Sequence, residues 1–424
     1  MTTDMSRLRN VVLAGHSDSG KTTLAEHLLH ATGAITRLGK VDDETASLDF
    51  EPEEHKRKQS LSLAAATLTH EGHQITLLDT PGYADFAAEV VQGFAAADAA
   101  LLTMDASGGV EAGTERAISL GRTTGTAAIF VITRCERENA DPVAALDALR
   151  AAFGNKIAPL HLAIGKADTF RGYVDLVHRK AYLFEKGKRT ETEIPADMAD
   201  EVARRRDQLL EAAAEADDDV LTKYLEGEEI SDQELDACLH RGVRDSILAP
   251  VMVVSAAHDI GIDGVLDAMV RYFPSPDEEK PVTALDGASK EVEVPPDANG
   301  PLVARVFKTT ADPFVGRLTY FRVYSGKISS HDHIWNANRG EEERIGQVLR
   351  VKGKDTEPVG SIGAGEIGAV AKLVHTHTGE TLSTREKPFK LPDIEFPHAS
   401  LGVAIEPQTK ADLDKMGAAL GRLV

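Results

Sequence analysis

The 424-residue sequence is poor in cysteine, in tryptophan, in positive charge and in long apolar runs. Its two cysteines, Cys135 and Cys238, stand far apart in unrelated contexts. That excludes a disulfide framework and a cysteine-based metal spacing, and both are expected to be free thiols. No stretch of eighteen apolar residues occurs, and the opening MTTDMSRLRN lacks the apolar core of a signal peptide. Membrane insertion and export are therefore not expected, and the cytoplasm is the default compartment. With 47 basic residues against 68 acidic ones, the formal charge is −21. This argues against broad nucleic-acid binding and against DNA as a partner, while leaving room for a local basic face. The acidic runs at 217–219 and 226–229 read as solvated surface.

What the sequence does contain is a glycine loop, Gly15–His16–Ser17–Asp18–Ser19–Gly20–Lys21–Thr22–Thr23, between the apolar run 11–14 and the helix-patterned stretch 24–31. Strand, glycine loop and helix form a phosphate cradle: backbone N–H groups face the phosphates, Lys21 adds a positive charge and the Thr22 hydroxyl ligates Mg²⁺. Four further apolar runs, at 75–78, 100–104, 128–132 and 251–254, are mostly separated by helical patterns. That alternation predicts an α/β domain, a mostly parallel sheet with helices on both faces, whose ligands bind at the carboxyl ends of the strands. The second run ends in Asp79–Thr80–Pro81–Gly82. Asp79 there can hold the magnesium shell, and the Gly82 amide can reach a γ-phosphate and move when it leaves. Together the two motifs specify a nucleoside triphosphatase of the switch type.

The stretches VVLAGHSDSGKTTL, LLDTPGYADFAAEV and PLVARVFKTTADPFVGRLTYFRVYSGKI resemble bacterial elongation factor G, and the resemblance runs from about Arg9 to the end of the sequence. It implies a GTP-driven factor that acts on the ribosome, touching rRNA and ribosomal proteins as a monomer, with GTP and Mg²⁺ as cofactors. The segment 54–67 falls where that family carries its first switch loop. There Ser60 takes the place of the threonine that joins Thr22 and Asp79 around Mg²⁺, and Lys58 replaces a glycine. Read without the family, Lys56–Arg57–Lys58 is a solvated basic patch. Tyr83 stands where the family has the histidine that positions the attacking water, beside Lys21 and Gly82 as the other catalytic candidates. A phenol cannot become cationic as imidazole can, so slow hydrolysis is expected. Thr133–Arg134–Cys135–Glu136 replaces the guanine-reading Asn-Lys-x-Asp: Glu136 keeps a bidentate acceptor and Arg134 can stack under the base. Ser255–Ala256–Ala257 resembles the loop over the guanine, and Cys135 reads as a small core residue.

The expected organisation is a P-loop GTPase domain over 1–280 with an inserted subdomain at about 170–249, a linker at 281–300, an antiparallel β-barrel over 301–394, and the incomplete start of an α+β third domain from 395. In the insertion, Ser231 with Glu234 makes a capping box, and Leu235, Leu239, Val243 and Ile247 recur along one helix face with Cys238 at its edge. Residues 396–407 resemble the opening strand of the third domain, and a helix is expected from Lys410. Three functional readings follow: an elongation-factor-G-like GTPase engaged in translocation or ribosome disassembly, a GTP-dependent ribosome-binding regulator with negligible turnover, and a nucleotide hydrolase outside translation.

Overall fold

The computed structural model describes residues 4–312, 316–399 and 402–423. The chain divides into two compact units, one of Ser6–Glu279 with Lys352–Lys354, the other of Lys280–Val351 and Asp355–Val424 with Met1–Met5.

In the first unit the strands are β1 (Leu8–Gly15), β2 (Ala64–His70), β3 (His73–Asp79), β4 (Ala99–Asp105), β5 (Ala127–Thr133), β6 (Ile157–Pro159), β7 (His161–Ile164), β8 (Gly172–Asp175), β9 (Lys180–Glu185), β10 (Lys188–Thr192) and β11 (Ala249–Val253). The helices are α1 (Lys21–Ala31), α2 (Pro52–Arg57), α3 (Ala87–Ala96), α4 (Ala112–Thr124), α5 (Pro142–Phe153), α6 (Ala199–Ala214), α7 (Asp218–Glu226), α8 (Asp232–Arg244) and α9 (Ile262–Tyr272). The main sheet runs β2-β3-β1-β4-β5-β11-β6 and is parallel except for β2. Strands β1 and β4 are buried along their whole length, as strands covered on both faces are, including Arg9 and Asn10 of β1 and Thr103 and Asp105 of β4. One hydrophobic cluster joins this sheet, α1 and α9 to the insertion's helices α6 and α8.

The insertion folds as a four-stranded antiparallel sheet, β10-β9-β8-β7, with α6 to α8. Its first strand begins at His161, before the expected boundary. The Ser231–Glu234 capping box is present, and Leu235, Cys238, Leu239 and Val243 are buried on α8. Ile247 is not on that helix, because α8 ends at Arg244 and Ser246 adopts a left-handed φ of 56°. Both cysteines are free and buried.

His161 is only 6 % exposed, its ring stacked 3.8 Å from that of Tyr173. Burial pulls its pKa down to about 4. An unfolded histidine titrates near ~6.5, so between these values the unfolded chain binds more protons than the folded one. Stability is therefore expected to fall as pH drops through that window, by up to ~3 kcal/mol. Denaturant titrations at several pH values should show the slope, and His161→Phe should remove it.

The second unit holds β12 (Val282–Asp286), β13 (Glu291–Val294), β14 (Val303–Asp312), β15 (Gly316–Ser325), β16 (Lys327–Ser329), β17 (His333–Asn336), β18 (Glu341–Arg344), β19 (Val348–Lys352), β20 (Asp355–Val359), β21 (Ser361–Gly363), β22 (Ile367–Ala371), β23 (Thr381–Ser383), β24 (Phe389–Lys390) and α10 (Asp412–Leu423). Antiparallel pairing in the order β18-β17-β23-β14-β15-β22-β19 encloses a core that includes Val306, Phe321, Val323 and Val370. The expected linker is not extended chain. Strands β12 and β13 pair as a hairpin, β24 adds to it, and Ala284, Val294, Val303, Phe389 and Leu391 form a separate small core. The strand expected over 396–407 does not form: 396–399 and 402–407 have no regular structure, and 400–401 lie outside the described residues. The expected helix does form as α10, with Leu413 and Leu420 exposed.

Candidate functional site

Strand β1 delivers the glycine loop to the edge of a cavity of about 530 Å³ in the first unit. At Gly15 the φ is 152°, and a Cβ added there would lie 2.4 Å from the Thr103 carbonyl oxygen, so only glycine lets the loop leave the strand. Ser19 Oγ lies 2.7 Å from Thr103 Oγ1 and donates to the His16 carbonyl at 2.8 Å, and Thr133 Oγ1 donates to the Ser19 carbonyl at 2.7 Å. The Gly113 N–H donates to His16 Nδ1 at 3.2 Å, which ties the loop to α4. The loop is thus fixed by its own chain from three sides.

Lys21 begins α1 and donates from Nζ to the His16 carbonyl at 2.8 Å. Burial lowers its pKa against the pull of Asp79, Asp18 and Asp49. One residue on, Thr22 Oγ1 donates to Asp79 Oδ2 at 2.7 Å and lies 3.0 Å from Ser60 Oγ. The three side chains expected around a metal therefore converge. Asp79 Oδ1 is buried without a hydrogen-bond partner, and burial, then the charge of Asp49, raise the carboxyl's pKa. Gly82 sits against the loop: a Cβ added to it would lie 2.5 Å from the Ser17 nitrogen and 2.6 Å from Lys21 Nζ. Tyr83 follows in extended backbone, 40 % exposed on the cavity wall, and its hydroxyl has no hydrogen-bond partner among the described residues.

Three acidic residues that motif reading passes over lie along the chain leading to Ser60, and two of them hold it through backbone amides. Glu54, buried on α2, accepts from the N–H groups of Leu61 and Ser62 through Oε1 and from those of Phe50 and Glu51 through Oε2. Glu26, buried on α1, accepts from Gly39 N at 3.2 Å and Ser47 N at 2.6 Å. Its sequence signal is an acidic residue one helical turn from Thr22, on the face that α1 buries. Asp49 lines the cavity beside Ser60 with both oxygens buried and no hydrogen bond of good geometry, and burial pushes its pKa up to about 6. Lys58, the residue in the glycine's place, ends α2 at φ 53°, in the left-handed region that favours glycine. Lys56 and Arg57 are exposed and pair with Glu53, as a solvated patch does. The expected loop 54–67 is thus the end of α2, a turn at Lys58, an irregular stretch through Ser60 and the start of β2.

At the cavity's far wall, Arg134 donates to Asp105 Oδ2 at 3.1 Å, and Glu136 keeps Oε2 buried without a partner. Ala256 and Ala257 line the cavity with Ser17, Asp18, Gly20 and Thr23. Ser255 does not: it is buried and bridges Ile260 through its backbone. Thr80 is also turned inward, donating from Oγ1 to the Leu13 carbonyl at 2.7 Å, and Pro81 lies outside the cavity lining. Cys135 is fully buried, as a small core residue would be.

The family model for the elongation factor Tu GTP binding domain matches residues 6–275, and that for elongation factor G domain 2 matches residues 301–385. The chain belongs to the elongation factor G family of translational GTPases. A crystal structure of a Thermus thermophilus protein is similar at TM-score 0.87 and 35% sequence identity over 99% of this chain. The chain spans 60% of the length of that protein. Among the described residues, no helix is long and apolar enough to cross a membrane.

Proposed function

We propose that this chain binds Mg·GTP in the 530 Å³ cavity and acts on the ribosome, with slow hydrolysis. The observation that carries the reading is the cluster of Thr22, Asp79 and Ser60 next to Lys21 and Gly82. Oxygen donors of this kind, with the unpartnered oxygens of Asp79 and Asp49, fit a hard divalent cation such as Mg²⁺. Bound there, the ion would neutralise charge on the phosphate oxygens. The chain's own residues do the rest. Loop amides and Lys21 hold the phosphates, Arg134 and Ala256–Ala257 flank the base, and Glu136 accepts from its edge.

Glutamate is one methylene longer than the aspartate it replaces, so its carboxylate overreaches the base. Glu136→Asp is expected to raise the preference for GTP over ATP about tenfold, measured by titration with fluorescent analogues of both. Equal affinities of the parent for the two would remove the guanine assignment.

The regulator reading, with negligible turnover, draws on the exposed, unpartnered Tyr83 and the left-handed Lys58. Ribosome-stimulated phosphate release favours the GTPase; ribosome co-sedimentation under a nonhydrolysable analogue without release favours the regulator. Failure of both would return the chain to nucleotide hydrolysis outside translation.

A further inference from the structure

The N-terminal ends of β4, β5 and β11 lie at the opposite end of the parallel sheet from the glycine loop. From that end along the sheet's face to Leu102 and Phe130, the first unit has a second, open cavity of about 260 Å³. Its walls are Leu102 and Phe130 from the sheet, Phe94 of α3, Ile118 of α4, and Phe153 at the end of α5. Phe130 and Phe153 stack with ring centroids 6.2 Å apart. Leu102, Ile118 and Phe130 are all buried, so the interior is mostly apolar, with Thr126 and Ser246 also in its wall.

The rim is cationic. Arg122 is exposed, with its guanidinium carbon 5.7 Å above the Phe153 ring, and half-buried Lys156 lies beside the same opening. Among the described residues neither forms an ion pair. Burial lowers the Lys156 pKa, the nearby charge of Arg122 lowers it further, and no carboxylate opposes them. In a chain with 68 acidic residues against 47 basic ones, two cations share one apolar mouth without an anion.

Two costs meet here. Apolar walls around a void lose dispersion contacts, and neighbouring like charges repel. One kind of molecule relieves both. An apolar cavity of about 150 Å³ already admits benzene, so this one has room for a longer hydrocarbon body. We propose that the cavity binds a small anionic amphiphile, a medium-chain acyl carboxylate, its tail against Phe130 and Phe153 and its head between Arg122 and Lys156.

The test is calorimetric titration of the full chain with octanoate, octylammonium and 1-octanol. Octanoate is expected to saturate a single site, and octylammonium to show no saturable binding. Reversing the rim with Arg122→Glu and Lys156→Glu is expected to weaken octanoate at least about tenfold and to admit octylammonium. Gly121→Leu is expected to abolish octanoate binding by filling the cavity. A Cβ at Gly121 meets only Phe94 Cε1 at 3.5 Å and the Thr126 carbonyl oxygen at 3.9 Å, so side-chain growth starts without a clash. GDP binding at the other end of the sheet should be unchanged in every variant and reports folding. Absence of saturable octanoate binding to the parent, equal binding of octylammonium, or undiminished affinity in the charge-reversed chain would each overturn the proposal.

Discussion

The Tyr83→His chain is expected to cleave GTP on ribosomes about a hundredfold faster than the parent in single-turnover experiments. Tyr83 lines the 530 Å³ cavity directly after Gly82, so its side chain is carried by the backbone segment that packs against Ser17 and Lys21 of the glycine loop. Its hydroxyl is held by no other group among the described residues. A side chain without a fixed hydrogen bond orients a water poorly, and transfer of a phosphoryl group to water depends mostly on such positioning. Phenol donates and accepts at a single oxygen; imidazole does so at two separate nitrogens and can also become cationic near neutral pH, which phenol cannot. Tyr83→Phe is expected to match the parent, since the hydroxyl organises nothing. A histidine variant no faster than the parent would sink the slow-hydrolysis reading. A phenylalanine variant that loses activity would show instead that the phenol works.

Gly82→Ala is the second large effect. The added methyl would lie 2.5 Å from the Ser17 nitrogen and 2.6 Å from the Lys21 ammonium, distances that force the two segments apart. Lysine's tip is flexible, but the Ser17 backbone is held within the loop that His16 anchors to α4. Overpacking of this kind costs about 1–3 kcal/mol. GTP affinity is therefore expected to fall between about 5-fold and 150-fold. GDP lacks the γ-phosphate that the Gly82 amide is proposed to reach, and should lose less. Titration with both nucleotides checks this, and an unchanged GTP affinity would remove Gly82 from the site.

The central strands were legible because burial on both faces writes itself into sequence as apolar runs, such as 11–14 in β1, 99–102 in β4 and 127–132 in β5. Strand β2 was not. Its AAATLTH carries alanines of low strand propensity, and pairing with β3 imposes its conformation. The β12–β13 hairpin was hidden for a related reason: only Ala284 and Val294 of its strand residues are buried, the rest being half-buried or exposed. In the candidate site, the glycine loop and Asp79–Gly82 are local motifs and could be read directly. Glu26, Asp49 and Glu54 act through backbone amides or an unpartnered carboxylate that become neighbours only on folding. The left-handed turn at Lys58 could be suspected from the missing glycine, but whether lysine would keep that conformation was a matter for the fold.

The β2–β3 hairpin places Ala64 opposite Asp79 at one end and His70 opposite His73 at the other, with Ser60 just before the first pair. Hydroxyl and carboxylate are thus the two tips of a single peg, and its closed end lies at the Glu71–Gly72 turn, a strand's length away. The protein is consequently unequal in the edits it can absorb. Residues added at that turn lengthen the closed end and leave the tips in register, so natural or engineered insertions should be accommodated there. Removing one residue from within β2 shifts the pairing by one and turns its alternating side chains to the opposite face, so Ser60 could not remain beside Thr22 and Asp79.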